Sequence, residues 1–203
     1  TQAGYYNIAV RARQNYQRAY PSNRRITIDG KVPFAEMMQV PFGFSPDWYI
    51  KTLGDEKPYR FYLGVGTHTI RMEVVPGDSA AITAELQECV LELNTLYRRI
   101  LMVTGTQPDL FRDYALEKEI PGLREEMTAV RDRLQAAYEN IQASSGIRDG
   151  DTANIDRLVV QLDGFLKDVD TIPQRLSNFS SNISSLSAWM LNLKNQPLEI
   201  DYL

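Results

Sequence analysis

The sequence predicts an α+β protein, a small antiparallel β-sandwich followed by an up-and-down bundle of about four helices. Three observations predict it. Residues 1–76 alternate apolar and polar side chains with a period of two, as half-buried strands do. Residues 77–197 repeat apolar side chains every three or four positions, the spacing of one-sided helices. The chemistry changes at the same place: residues 1–76 hold 10 Lys+Arg against 6 Asp+Glu and 12 of the 20 aromatics, while residues 77–203 hold 12 against 20.

In the first part, Tyr6, Ile8, Val10 and Ala12 form an apolar face, with Asn7, Arg11 and Arg13 on the other. Ile26-Thr27-Ile28 runs into Asp29-Gly30, a pair that tolerates the positive φ values of a type I′ hairpin turn. Tyr59 to Leu63, Gly64-Val65-Gly66 and His68 to Val75 read as a second hairpin, whose last strand alternates His68, Ile70, Met72 and Val74 against Thr69, Arg71 and Glu73. Pro33, Pro41, Pro46 and Pro58 limit pairing between the hairpins to the neighbourhood of Trp48-Tyr49-Ile50. The seam falls at Pro76-Gly77.

In the second part, Asp78 or Ser79 is placed to cap a helix carrying Ile82, Leu86, Cys89, Leu93, Leu96 and Ile100, which ends near Thr104-Gly105. A short helical turn after Pro108-Asp109 takes in Phe111, Tyr114 and Leu116. A long helix after Pro121 presents Leu123, Met127, Val130, Leu134, Ala137 and Ile141 and stops at Ser144-Ser145-Gly146. Asp151 or Thr152 starts the next, with Ile155, Leu158, Leu162, Phe165 and Val169. Pro173 suits the first turn of the last helix, whose stripe is Leu176, Phe179, Ile183, Leu186, Met190 and Leu193. Short loops between one-sided helices favour a bundle with these stripes as its core. The domains expected are residues 1–76, residues 77–197, and 198–203 as an extended exit strand toward a following domain. The link at the seam is too short for a flexible tether, so the two parts are expected to pack as one rigid unit. Both ends read as cut, and the chain as a piece of a larger protein.

Composition narrows the function. Hydrophobic residues at 43% and charged residues at 24% describe a folded chain with a modest net charge of −4. The basic residues of the first part form no stripe interleaved with aromatics, which argues against nucleic acid. No apolar run reaches the roughly 18 residues of a membrane span and no secretion signal is present, so no direct membrane insertion is expected of this fragment. Cys89 is the single cysteine: it makes no internal disulfide and reads as a buried, inert thiol. His68 is the single histidine and reads as structural, with no second imidazole to hold a metal.

Smaller signals also have plain readings. Glu117, Glu119, Glu125 and Glu126 suit helix starts better than a carboxylate metal site, since no Glu-x-x-His partner exists. Asp149-Gly150-Asp151 lacks the remaining ligands of a calcium loop. Asn178-Phe179-Ser180 and Asn182-Ile183-Ser184 match glycosylation acceptors but fall on a helix. No metal, no cofactor and no catalytic residue is expected, because no spacing suggests an acid–base pair. The functional candidate is the loop from Gln14 to Asn23, where Asn15, Tyr16, Gln17, Arg18 and Tyr20 offer flat rings to sugar C–H surfaces and amides and a guanidinium to hydroxyls, with Trp48 and Tyr49 as an added platform. Against this stands the reading of Trp48 as a core residue between the sheets.

Gly4-Tyr5-Tyr6-Asn7-Ile8-Ala9-Val10-Arg11, Arg24-Arg25-Ile26-Thr27-Ile28-Asp29-Gly30-Lys31, Trp48, Leu63 and Gly66-Thr67-His68-Thr69-Ile70-Arg71-Met72-Glu73 resemble the later strands of a galactose-binding-like jelly roll. Residues 1–75 are similar to carbohydrate-binding modules of families 6 and 35, which implies that the sandwich is a partial jelly roll. The acidic opening strands that hold structural calcium in such modules are missing. Tyr97-Arg98-Arg99-Ile100, Thr104-Gly105-Thr106-Gln107-Pro108-Asp109, Arg112-Asp113-Tyr114, Ile172-Pro173-Gln174-Arg175-Leu176 and Gln196-Pro197-Leu198-Glu199-Ile200-Asp201-Tyr202 resemble a region of very large family 1 extracellular solute-binding proteins of Gram-positive bacteria.

That second resemblance implies a non-catalytic accessory region of a lipid-anchored receptor, a lipoprotein serving a sugar-type ABC transporter. It implies an extracellular location with the anchor outside this fragment. The implied partners are an oligosaccharide ligand, the solute-binding lobes of the same polypeptide and the transporter permease, with no nucleic acid. Two alternatives accompany it: a purely structural spacer or docking module, and a carbohydrate-binding module attached to a glycan-degrading enzyme.

Overall fold

A computed structural model describes residues 2–18, 20–145 and 152–203, without the side chains of Asp78, Ser144 and Ser145. The chain divides into two compact units, Thr1–Ala80 with Asn192–Leu203, and Ala81–Leu191. The prediction of antiparallel strands plus a helical bundle holds.

The first unit is built from β1 (Gly4–Tyr6), β2 (Ala9–Gln14), β3 (Ser22–Ile28), β4 (Val40–Phe42), β5 (Ser45–Thr52), β6 (Phe61–Leu63), β7 (Ile70–Val74) and β8 (Glu199–Tyr202). Their pairings are antiparallel, in the orders β5-β2-β8, β4-β3-β7 and β1-β6. The period of two decides what faces inward. Ile8, Val10 and Ala12 from the β2 side, Ile26 from β3, Val40 and Phe42 from β4 and Phe61 from β6 share one core with Met37 and Leu53. Pro41 and Pro46 sit in β4 and β5, both outer strands of their sheets, where a missing N–H breaks no central ladder. Within the alternating stretch 198–203, β8 pairs with β2 at Arg11↔Tyr202, Ala12↔Ile200 and Arg13↔Glu199.

The Asp29-Gly30 turn forms as its sequence demands. Both residues have positive φ, 51° and 77°, and Ile28 and Lys31 exchange backbone hydrogen bonds of 2.8 and 3.0 Å across it. The expected second hairpin does not form. β6 pairs instead with β1, through Tyr5↔Tyr62 and Tyr6↔Phe61, and β7 pairs with β3, through Ile26↔Met72 and Ile28↔Ile70. The reason lies in the side chains: Ile70 and Met72 pack on the core beside β3, and the Arg25 guanidinium meets Glu73 across that pair, with Nε 2.8 Å from Oε2. His68 precedes β7 and bridges the two crossing segments, its Nδ1 2.6 Å from Asp29 Oδ2 and its Nε2 3.1 Å from the Gly64 carbonyl.

The second unit takes in most of α1 (Ala80–Thr104), then α2 (Leu116–Glu119), α3 (Leu123–Ser145), α4 (Ala153–Lys167) and most of α5 (Leu176–Asn195). Every stripe residue expected on α3 is buried: Leu123, Met127, Val130, Leu134, Ala137 and Ile141. Burying each large side chain contributes about 1.5–3 kcal/mol, which outweighs the differences of under about 0.7 kcal/mol between ordinary residues in helix propensity. The one-sided pattern, not the intrinsic preference, therefore selects these helices. Phe179 of α5 meets Phe165 of α4 edge-on at 5.4 Å and Tyr97 of α1 at 6.2 Å. Arg133 of α3 reaches three carboxylates on one face of α1, Glu85, Glu88 and Glu92, the last at 2.6 Å. Gly105, at φ 74°, ends α1 where expected, its N–H returning to the Leu101 carbonyl at 2.8 Å. Pro173 opens a single 3-10 turn, Pro173–Arg175, that leads into α5.

The helical turn expected from Asp109 begins later, at Leu116, and excludes Phe111, which is 99% exposed. Two aspartates compete with helix formation there. Asp109 Oδ1 accepts from Phe111 N at 3.0 Å and Asp113 Oδ1 from Ala115 N at 2.8 Å, and Ala115 then adopts φ 46°. Val169 is buried but lies in a 3-10 turn beyond α4. Ser79 Oγ donates to the Pro76 carbonyl at 2.7 Å. The Asp149-Gly150-Asp151 turn and the Asp151 cap lie outside the described residues.

Candidate functional site

The site expected from sequence is split by the fold. Gln14, fully buried at the end of β2, organises the loop that follows: its Oε1 accepts from the backbone N–H of Tyr16 and Gln17, and its Nε2 donates to the Gln17 carbonyl at 2.7 Å. This turns Gln17 inward and leaves Asn15 and Tyr16 outside. Arg18 lies over the Phe44 ring, 4.8 Å from its centre. Tyr49 faces the core side of β5 and packs against the hydrophobic cluster, where burial pushes its phenol pKa up.

Trp48 lies on the opposite face, because the period of two alternates it with Tyr49. It is half-buried, with the guanidinium carbons of Arg11 and Arg13 each 5.1 Å from its ring centre. Trp48 therefore does not occupy the space between the sheets. Tyr16 reaches the same face from its loop, its hydroxyl donating to Glu199 Oε1 at 2.9 Å. Of Asn15, Tyr16, Gln17, Arg18, Trp48 and Tyr49, the fold brings Tyr16 and Trp48 to one surface.

Residues not singled out from sequence complete that surface. Arg13 Nη2 pairs with Glu199 Oε2 at 2.6 Å, Arg11 pairs with Asp201, and the Tyr202 ring lies 5.7 Å from the Arg11 guanidinium. Arg13 and the Tyr16 hydroxyl together hold the Glu199 carboxyl below its ordinary pKa, and the same bond raises the Tyr16 phenol. The outward positions of Arg11 and Arg13 were legible from the period of two. Their partners lie more than 180 residues away in sequence, so no local pattern points to them. Chemically the face offers aromatic rings to sugar C–H surfaces and charged groups to hydroxyls, although its arginines and Glu199 already bind one another.

Among the described residues no three His, Cys, Asp or Glu side chains converge to hold a metal ion, and no helix is long and apolar enough to cross a membrane. In the helical unit, burial pushes the Cys89 thiol up to about 11. The Asn182 side chain donates to Gln161 Oε1 at 2.8 Å.

Four helices, each with its own buried apolar stripe, define this part of the chain as a helical-bundle domain. The chain belongs to the family of the bacterial solute-binding protein, 4-helix bundle domain, whose family model matches residues 81–195. No curated protein and no solved structure matches the chain.

Proposed function

We propose that this chain is a non-catalytic accessory region of an extracellular solute-binding protein that serves an ABC transporter in oligosaccharide uptake. The observation that carries this reading is the family match over residues 81–195. The chain would share its polypeptide with the solute-binding lobes, act with the transporter permease through them, and be held at the cell surface by a lipid anchor outside these residues. In this reading the β unit adds weak glycan contact at the face of Tyr16 and Trp48, in the manner of a carbohydrate-binding module. The exposed Tyr16 and Tyr202 rings, on one face with the half-buried Trp48, support it.

A second reading, a structural spacer, is favoured by one specific observation. The polar groups of that face are engaged with each other: Arg11 with Asp201, and Arg13 and Tyr16 with Glu199. A glycan array and calorimetry on the chain beside Tyr16→Ala and Trp48→Ala separate the two. Glycan contact at this face requires measurable binding that both substitutions weaken while the circular dichroism stays native. Binding to no glycan at all would leave the spacer.

A further inference from the structure

We propose that the cleft between the Asp29-Gly30 turn and the β1–β6 pair binds an anionic sugar, a pyranose ring carrying a carboxylate or a phosphate. This inference goes beyond the reading above and shares no residue with the Tyr16–Trp48 face. The cleft encloses about 590 Å³, within the range of small-molecule sites.

Its walls carry the two chemistries such a ligand needs. Tyr5 and Tyr62 are cross-strand neighbours, 67% and 64% exposed, and meet edge to face with ring centres 5.4 Å apart. With Phe34 they give the cleft apolar faces suited to the C–H surface of a sugar ring. The charged lining is Lys31, Arg60 and His68 against the single carboxylate of Asp29. That carboxylate is already occupied: Oδ2 faces His68 Nδ1 at 2.6 Å and Oδ1 accepts from Thr69 N at 2.9 Å.

The histidine is committed to the Asp29 carboxylate, which leaves Arg60 and Lys31 as the uncompensated charges of the lining. Both of its ring nitrogens face acceptors, Asp29 Oδ2 and the Gly64 carbonyl, and only the doubly protonated ring donates to both. Arg60 lies over the Tyr5 ring, 5.5 Å from its centre. Among the described residues neither Arg60 nor Lys31 pairs with a carboxylate. Two cations without counter-ions in one aromatic cleft match a ligand with a ring to stack and an anion to chelate. The arginine supplies a planar fork and the lysine a point charge. A free inorganic anion would leave the tyrosines unused, and a neutral sugar would leave the cations unused.

The test is calorimetry on the 203-residue chain with four probes: tri-galacturonate, galactotriose, galactose 1-phosphate and inorganic phosphate. At least one of the two anionic sugars is expected to bind about tenfold or more tighter than both galactotriose and inorganic phosphate, and which one does so identifies the anionic group. Arg60→Ala and Lys31→Ala are each expected to weaken that binding by about fivefold or more without changing the melting temperature, since both side chains lie at the solvent side of the fold. Equal affinity for galactotriose, equal affinity for inorganic phosphate, or no binding of either anionic sugar would overturn the proposal. Binding that survives Arg60→Ala and disappears in Trp48→Ala would overturn it too, while leaving the outer-face reading standing.

Discussion

Arg24 Nη2 donates to the backbone carbonyl of Gln196 at 2.6 Å, deep inside the β unit. Among the described residues this buried guanidinium meets carbonyls and no carboxylate, and burial lowers its pKa. The Gln196 side chain works in the same place: its Oε1 accepts from Asn23 N at 2.6 Å and its Nε2 donates to the Val75 and Pro76 carbonyls. One residue thus ties the approach to β8 to the start of β3 and the end of β7.

Gln196→Ala is therefore expected to cost about 2–4 kcal/mol, because it takes the side-chain partner from the buried Asn23 N–H and from the Val75 carbonyl at roughly 1–3 kcal/mol each, while the Pro76 carbonyl keeps the Ser79 hydroxyl. Urea denaturation followed by the β-sheet signal measures it. A loss under about 0.5 kcal/mol, the scale of an ordinary surface substitution, would mean that water replaces the amide without cost.

Trp48→Ala and Phe42→Ala are expected to separate surface from core. Phe42 is fully buried in the cluster shared by β2, β3 and β4, so its truncation should cost about 3–5 kcal/mol. Trp48 lies on the outer face beneath two arginines and should cost no more than about 2 kcal/mol, from lost stacking. Thermal melts of the two variants give the comparison, and equal losses would place Trp48 in the core.

The Asp29–His68 pair makes the β unit pH-sensitive with a defined sign. The hydrogen bond to Asp29 raises the His68 pKa, so its contribution is complete below the unfolded value of about 6.5 and is lost as pH rises through the higher folded value. The bond to His68 lowers Asp29, whose contribution is present above its unfolded value of about 3.9 and is lost as pH falls through the lower folded value. The pair is thus strongest between those two limits. As the only histidine, His68 gives a single imidazole resonance in a proton NMR titration. Its midpoint should lie above 6.5 and return toward it in Asp29→Asn; a wild-type midpoint at or below about 6.5 would refute the pairing.

Cys89 is expected to resist alkylation at pH 8 in the folded protein and to react at once in denaturant, because its thiol is buried and held protonated up to about 11. Above it, Arg133 joins three partly exposed glutamates. Arg133→Ala should cost only about 1–2 kcal/mol in dilute buffer and less in high salt, as expected of solvent-screened pairs. Iodoacetamide labelling and melts at two ionic strengths check both statements.

The helical unit was legible because its code is local. Leu123, Met127, Val130, Leu134, Ala137 and Ile141 lie within one helix, and their spacing alone predicts which face is buried. The same holds for the Asp29-Gly30 turn, where two adjacent residues determine the geometry. Pairing between strands is different in kind. Nothing near Phe61 says that its partner is Tyr6, and the glycines at 64 and 66 suggest a hairpin that the Ile70 and Met72 contacts with β3 override. At the outer face the sequence identified Tyr16 and Trp48, but Glu199 and Asp201 come from the far end of the chain. The cleft was illegible for the same reason, since Tyr5, Lys31, Arg60 and His68 converge from four separate segments.

The pairing of β8 with β2 also has a consequence during synthesis. The β unit draws on Thr1–Ala80 and Asn192–Leu203, so a ribosome completes the intervening helical residues before the last strand exists. Until β8 emerges, one margin of β2 stays bare in each newborn molecule. A bare margin is a template for pairing with neighbouring copies. Arg11 and Arg13 stand on that strand, where two nascent chains brought side by side would set like charges against each other until Asp201 and Glu199 arrive to neutralise them.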